Sequence, residues 1–233
     1  MSEARLVIAI FEFVVLVFSL SIHEAAHGWM ANRLGDPTAK MLGRVTLNPI
    51  KHIDPIGTIA IPLVMLLLPG YGQFLIGWAK PTPVTTRNFK NVTRDDILTT
   101  VAGPVSNVLA ALGATVLLLI LSKASLTGST IVHQLAGTGG VDPALMGSML
   151  FPLVLILYMG VTLNLILAVF NLLPLPPLDG SHVFRHMLPY KALRVYDSLG
   201  ILSLILILFV GARIIGYVVS PAMGFVNGIL VSF

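Results

Sequence analysis

The sequence predicts an all-α polytopic membrane protein, a bundle of about four to six transmembrane helices with a small membrane-associated β or re-entrant segment. Three observations predict it. At 56% hydrophobic and 10% charged residues, with a mean hydropathy of +0.92, the chain lies far outside the composition of soluble domains. Four apolar runs, Leu6–Ile22, Ile97–Leu121, Met149–Leu173 and Leu199–Tyr217, are long enough or nearly so to cross roughly 30 Å of hydrocarbon as helices. The basic residues gather in the loops that flank these runs, where positive charge sets topology.

The first run has only Arg5 as a basic flank and carries Glu12 inside it, unlike a cleaved signal peptide, so it reads as a retained helix. Next, Ile56–Leu68 is too short to span comfortably and contains Pro62; it reads as re-entrant, interfacial or packed against the bundle. The stretch Gln73–Thr85 has turn residues at both ends, the β-favouring patch Phe74-Leu75-Ile76 and the pair Pro81/Pro83, a pattern that suits an edge strand with unpaired backbone groups. Ser122–Leu145 reads as the loop between the second and third spans, and Pro221–Phe233, broken by Gly224 and Gly228, as a segment of the same ambiguous kind as Ile56–Leu68. One membrane domain therefore covers residues 1–233, with a core at 5–190 and C-terminal helices at 191–233.

Arg33, Lys40, Arg44 and Lys51 follow the first span, Lys80, Arg87, Lys90 and Arg94 precede the second, and Arg185, Lys191 and Arg194 follow the third. These loops are expected in the cytoplasm of a cell-membrane protein, with both termini and Ser122–Leu145 outside. The same distribution accounts for the net charge of +4 without a nucleic-acid partner; the lipid bilayer is the expected surrounding. The chain has no cysteine, so neither a disulfide nor a thiolate metal ligand contributes.

Against this background His23-Glu24-Ala25-Ala26-His27 stands at the end of the first apolar run. Residues four apart share a helix face, so both imidazoles can bind one Zn2+ while Glu24 serves as general base. A catalytic zinc needs a third protein ligand. Glu24 is the last glutamate of the chain, so a later carboxylate ligand is an aspartate. Asp179 closes the run Asn171-Leu172-Leu173-Pro174-Leu175-Pro176-Pro177-Leu178-Asp179-Gly180 at the cytoplasmic end of the third span, where three prolines are expected to end the helix and hold the backbone extended and Gly180 to permit a sharp turn. His23 precedes Arg33 by ten residues, about 15 Å of helix, which puts the metal inside the membrane but nearer its cytoplasmic face. Asn171 is a candidate side-chain donor to an oxyanion, and Asn164 either a second one or a residue that joins helices.

Together, His23-Glu24-x-x-His27 and Asn171-x-x-Pro174-x-x-Pro177-x-Asp179-Gly180 resemble the site-2 protease family of intramembrane zinc metalloproteases. The segments Leu42-Gly43-Arg44-Val45-Thr46-Leu47-Asn48-Pro49, Gly77-Trp78-Ala79-Lys80-Pro81 and Gly103-Pro104-Val105-Ser106-Asn107 are similar to its compact bacterial and archaeal branch, and no stretch is long enough for a PDZ or a paired regulatory domain. The resemblance implies His23, His27 and Asp179 as ligands of one zinc, Glu24 as catalytic base, Asn171 beside the reacting carbonyl, and Gly77 and Trp78 in a segment that takes up unwound substrate by strand addition. The implied activity is regulated intramembrane proteolysis of single-pass membrane proteins. The alternative is a zinc transporter or channel using the same ligands, in which Glu24 would be a ligand rather than a base. His52 and Asp54 read as a solvated loop pair, His182 as a supporting or surface residue, and Gly103, Pro104, Ser106 and Asn107 as helix-packing residues.

Overall fold

The computed structural model describes residues 3–67, 77–199, 203 and 212–233. Three helices among the described residues are long and apolar enough to cross a membrane, over Arg5–Arg33, Val92–Ala124 and Leu150–Asn171. Most of the run Leu199–Tyr217, and the patch Phe74-Leu75-Ile76, lie outside the described residues.

Helix α1 (Glu3–Arg33) is 31 residues long and carries a cation in its last turn, which suits the negative end of the helix dipole. It stops at Gly35, whose φ of 110° is open to glycine at little cost. There Asp36 N–H closes back on the Ala31 carbonyl at 2.9 Å, satisfying an orphan acceptor of the last turn. After the single turn α2 (Thr38–Met41), the chain enters a π-helical stretch at Pro55–Ala60 that runs on into the short α3 (Ile61–Leu67). Asp54 caps this stretch by accepting from Ile56 N–H at 3.0 Å and Gly57 N–H at 2.7 Å.

Helix α4 (Val92–Ala124) opens with reciprocal capping: Asn91 Oδ1 accepts from Arg94 N–H at 3.1 Å and Asp95 Oδ2 from Asn91 N–H at 3.0 Å. The stretch expected to be a loop at Ser122–Leu145 instead contains α5 (Leu126–Thr138), capped by Ser125 and ended by Gly139 at φ 73°, and the single turn α6 (Pro143–Met146). Helix α5 buries Ile131, Val132 and Leu135. Its apolar stripe is short and interrupted by Gly128, Ser129, Thr130 and His133, so hydropathy alone does not separate it from a loop. Helix α7 (Leu150–Asn171) follows, then α8 (Asp179–Arg185), α9 (Tyr190–Asp197) and α10 (Ala212–Ser232). Helix α10 runs through Pro221 without interruption and packs against the bundle, with Leu230 fully buried and Tyr158 Oη donating to Asn227 Oδ1 at 3.1 Å.

Two interiors result. One end of the bundle is a dry cluster in which Ala111 and Leu118 of α4, Ile131, Val132 and Leu135 of α5, Val154 and Val161 of α7, and Leu230 of α10 meet. At the other, Leu16 and Leu20 of α1 and Leu167 of α7 close over Ala79. Between them lies a buried polar layer of Ser19, Asn107 and Asn164. Asn107 Nδ2 donates to the Ser19 carbonyl and to Asn164 Oδ1, and Asn164 Nδ2 donates to Ser19 Oγ. Such amide contacts join α1, α4 and α7 where lipid offers no hydrophobic drive for helix association.

Beyond α1, the buried Asp36 carboxylate accepts from Thr38 N–H and Oγ1, Thr85 N–H and Asn88 Nδ2, tying the helix end to the segment after residue 77. Burial alone would raise this carboxyl, but the bonds from Thr38, Thr85 and Asn88 more than offset it and hold the group below its ordinary value. A depressed folded-state pKa stabilises the fold above the unfolded value of about 3.9, and that stability is lost as pH falls through the folded value. Thermal unfolding in detergent should therefore show Asp36→Asn destabilised by roughly 1–3 kcal/mol at neutral pH. The gap to wild type should narrow in acid; a gap independent of pH would contradict the assignment.

Candidate metal centre

Spacing on α1 sets the first two groups: His23 and His27 project from one face onto α4, both buried. Their ring nitrogens away from the centre are each committed. His23 Nδ1 lies 2.6 Å from Asn107 Oδ1, and His27 Nδ1 lies 2.8 Å from the Thr99 carbonyl oxygen. Both partners are acceptors, Asn107 being oriented by its Nδ2 bond to the Ser19 carbonyl, so each Nδ1 carries the proton. The neutral tautomers then turn both Nε2 lone pairs inward.

Asp179, the first residue of α8, brings the third group, and His23, His27 and Asp179 together form a set whose ligand atoms all lie within 4.8 Å of one another. The two Nε2 atoms are 3.0 Å apart, and Asp179 Oδ2 is 3.0 Å from His23 Nε2 and 3.4 Å from His27 Nε2. Asp179 Oδ2 is buried without a hydrogen-bond partner. Three such atoms facing one another out of water are reconciled by a positive charge among them, a metal ion or a proton on an imidazole. Tetrahedral zinc with bonds near 2.0–2.1 Å sets ligand atoms about 3.3 Å apart, so the donor set and its spacing fit zinc.

The path of Asp179 to this place differs from the expected extended one. Leu175 N–H bonds the Leu173 carbonyl at 2.8 Å and Leu178 N–H the Leu175 carbonyl at 2.9 Å, so Pro174–Pro177 fold into successive tight turns. Gly180 serves close approach rather than an unusual dihedral: a Cβ there would lie 2.3 Å from the Leu172 carbonyl oxygen and 2.5 Å from that of Leu173. From α9, Tyr196 Oη donates to the Pro174 carbonyl at 2.9 Å and its ring meets Phe184 at 5.5 Å, holding the turn and α8 together.

Helix α4 does more than pack against α1. A Cβ on Gly103 would fall 2.4 Å from His27 Nε2 and 2.7 Å from His23 Cε1, so only glycine lets α4 lie against both imidazoles. Pro104 removes the helical bond to the Thr100 carbonyl and loosens the turn in which the Thr99 carbonyl receives His27. Asn107 receives His23. The one signal available in sequence was the grouping of Gly103, Pro104 and Asn107 in an apolar helix.

Glu24 stays out of the ligand set, its Oε2 accepting from Thr82 N–H at 2.7 Å. Asn164 is a joining residue within the polar layer. Asn171 Nδ2 bonds the Leu167 carbonyl of its own helix at 3.0 Å. Gly77 and Trp78 begin an extended segment, residues 77–85, that forms no ladder among the described residues. The Trp78 ring covers Gly57, where a Cβ would lie 2.3 Å from Nε1, and a Cβ on Gly77 would lie 2.5 Å from the Gly57 carbonyl oxygen. His52 is buried rather than solvated: Nε2 donates to the Thr46 carbonyl at 2.8 Å, and its own carbonyl accepts from Lys80 N–H at 2.8 Å. His182 is exposed.

Because the cluster repels itself without a cation, a chelator should lower the Tm of the detergent-solubilised protein and added zinc should restore it; a ligand held at 100 times its Kd contributes about 2.7 kcal/mol. Gly103→Ala should lose that zinc-dependent gain. Asn107→Leu, which removes the acceptor for His23, should weaken zinc roughly 10–100-fold in a competition titration. Unchanged zinc affinity in both variants would overturn the roles given to α4.

Residues 11–210 match peptidase family M50. The chain is 38% identical over 177 residues to "Putative zinc metalloprotease YwhC" of Bacillus subtilis, an alignment covering 76% of this chain and 68% of that protein. It is 29% identical over 199 residues to "Putative zinc metalloprotease Rip2" of Mycolicibacterium smegmatis, covering 84% of this chain and 65% of the relative. With Rip2 of Mycobacterium tuberculosis it shares 29% identity over 162 residues, covering 70% of this chain and 51% of the relative. No solved structure matches the chain significantly. Both halves of the ligand cluster fall within the matched residues, and the chain belongs to peptidase family M50, the site-2 protease family of membrane zinc metalloproteases.

Proposed function

We propose that the chain is an intramembrane endopeptidase that hydrolyses a peptide bond in or near the transmembrane segment of single-pass membrane proteins, in regulated intramembrane proteolysis. The observation that carries this reading is a cluster of buried His23 and His27 with half-buried Asp179 among apolar helices, with the Glu24 carboxylate outside the cluster and bonded to Thr82. In this reading His23, His27 and Asp179 hold one zinc. Zinc, when bound, supplies Lewis acidity. Glu24 is the base: its carboxylate takes a proton from water as the oxygen adds to the scissile carbonyl carbon, and delivers it to the departing amine nitrogen as the C–N bond breaks.

Asn171 would serve the developing oxyanion once its amide turns from the Leu167 carbonyl. Gly77 and Trp78 would seat unwound substrate by strand addition. Support for this comes from alternation along the segment: the N–H groups of Trp78 and Lys80, two residues apart, donate to the Gly57 and His52 carbonyls at 3.2 and 2.8 Å, as in an extended strand. The cytoplasmic side of the bilayer is assigned to the site from the basic residues Arg33, Lys40, Arg44, Lys80, Arg87 and Arg185 near its end of the bundle. The restraint of Glu24 by Thr82 favours a base over a transport ligand.

Co-expression with tagged single-pass proteins tests the reading. Wild type should yield a shortened product and Glu24→Gln none, with zinc still bound at one per chain; Asp179→Ala should lose the zinc. Cleavage by Glu24→Gln, or zinc flux through liposomes by a wild type that cleaves nothing, would overturn it.

A further inference from the structure

Three inward-facing N–H groups follow one another along residues 78–82, and the last of them meets the proposed base. Trp78 and Lys80 donate to backbone carbonyls, whereas Thr82 N–H donates to Glu24 Oε2 at 2.7 Å. Thr82 is flanked by Pro81 and Pro83, so it holds the single N–H of that tripeptide. Its other atoms face α1 as well. Thr82 Oγ1 donates to the Glu24 carbonyl at 3.0 Å, and a Cβ on Gly28 would lie 3.4 Å from Thr82 Cγ2. The segment is braced on the side of the following loop too, since Arg44 Nη2 donates to the carbonyls of Lys80 and Pro81, and Thr58 Oγ1 to that of Trp78 at 2.7 Å.

We propose that Thr82 is a positioning residue for catalysis: its backbone N–H holds one carboxylate oxygen of Glu24 so that the other, which accepts no hydrogen bond from the described residues, is presented to the reacting water. A glutamate has three free torsions, and ordering them costs up to about 2 kcal/mol of rotamer entropy. A braced N–H removes that freedom before substrate arrives, and the two prolines leave the Thr82 N–H without a competing neighbour. The segment that orients the base is continuous with Gly77 and Trp78, so the base and the substrate are registered by one stretch of backbone. This inference rests on Glu24 being the base.

The test is to replace the Thr82 amide by an ester, incorporating the α-hydroxy analogue of threonine by nonsense suppression, which removes the N–H and keeps the side chain. Cleavage of the single-pass substrate in detergent is then measured with zinc content and Tm. The ester should lower kcat about 10–100-fold, with KM within about 2-fold of wild type and zinc content and Tm unchanged. Thr82→Ser, which keeps the N–H and the hydroxyl, should retain most of kcat, and Thr82→Val should fall between. Wild-type kcat in the ester, or a rise in KM alone, overturns the proposal; so does a loss of kcat that comes with a loss of zinc or Tm, which would make the segment a support of the fold. Glu24→Gln run alongside separates the two readings: activity there removes Glu24 as the base, whatever the ester does.

Discussion

Everything at the centre of this protein depends on one electrostatic constraint, that two imidazole nitrogens and a carboxylate oxygen meet within 3.0–3.4 Å in a place withdrawn from water. Lone pairs so placed repel unless a cation lies among them. The fold holds them there by committing the opposite edge of each ring: Asn107 Oδ1 accepts a hydrogen bond from His23 Nδ1–H and the Thr99 carbonyl one from His27 Nδ1–H. Those two bonds fix tautomer and orientation together, which is how outer partners tune a metal ligand. They also make α4, which contributes no ligand, as much a part of the centre as α1.

Close approach is the second requirement, and small residues meet it. Gly103 lets α4 touch both imidazoles, Gly180 lets Asp179 return under the end of α7, and Gly57 and Gly77 let Trp78 and the extended segment lie on the π-helical stretch. At each of these positions a Cβ would fall between 2.3 and 2.5 Å from an existing atom, well inside van der Waals contact. These glycines are therefore not sites of flexibility. They set the distances within the His23, His27 and Asp179 cluster and along the segment that meets Glu24.

A third layer surrounds the first two outside the spans. Asp36, Arg44, His52 and Thr58 each bond the backbone of residues 78–85, and Tyr196 bonds that of Pro174. The two irregular stretches that carry the Glu24 contact and Asp179 are thus held by side chains and isolated backbone bonds rather than by regular ladders. Irregular backbone withdrawn from water is tolerated when protein groups satisfy it.

By itself the sequence determined the membrane class, the helix bearing His23, Glu24 and His27, and Asp179 as the carboxylate that joins them. Hydropathy over a span and the repeat of a helix face suffice for the first two; Asp179 was legible from the absence of any glutamate after Glu24, its place in the proline run that closes the third span, and the resemblance carried by the two motifs. What only the tertiary structure decided concerns partners far apart in the chain. Asn107 was legible as a packing residue and proved to hold His23; His52 read as solvated and proved buried; α5 read as a loop and proved part of the core. Thr82 carried no readable signal and meets Glu24 across 58 positions of sequence. A hydrogen bond between distant residues leaves no period or spacing in the chain, because its geometry exists only after the helices have packed.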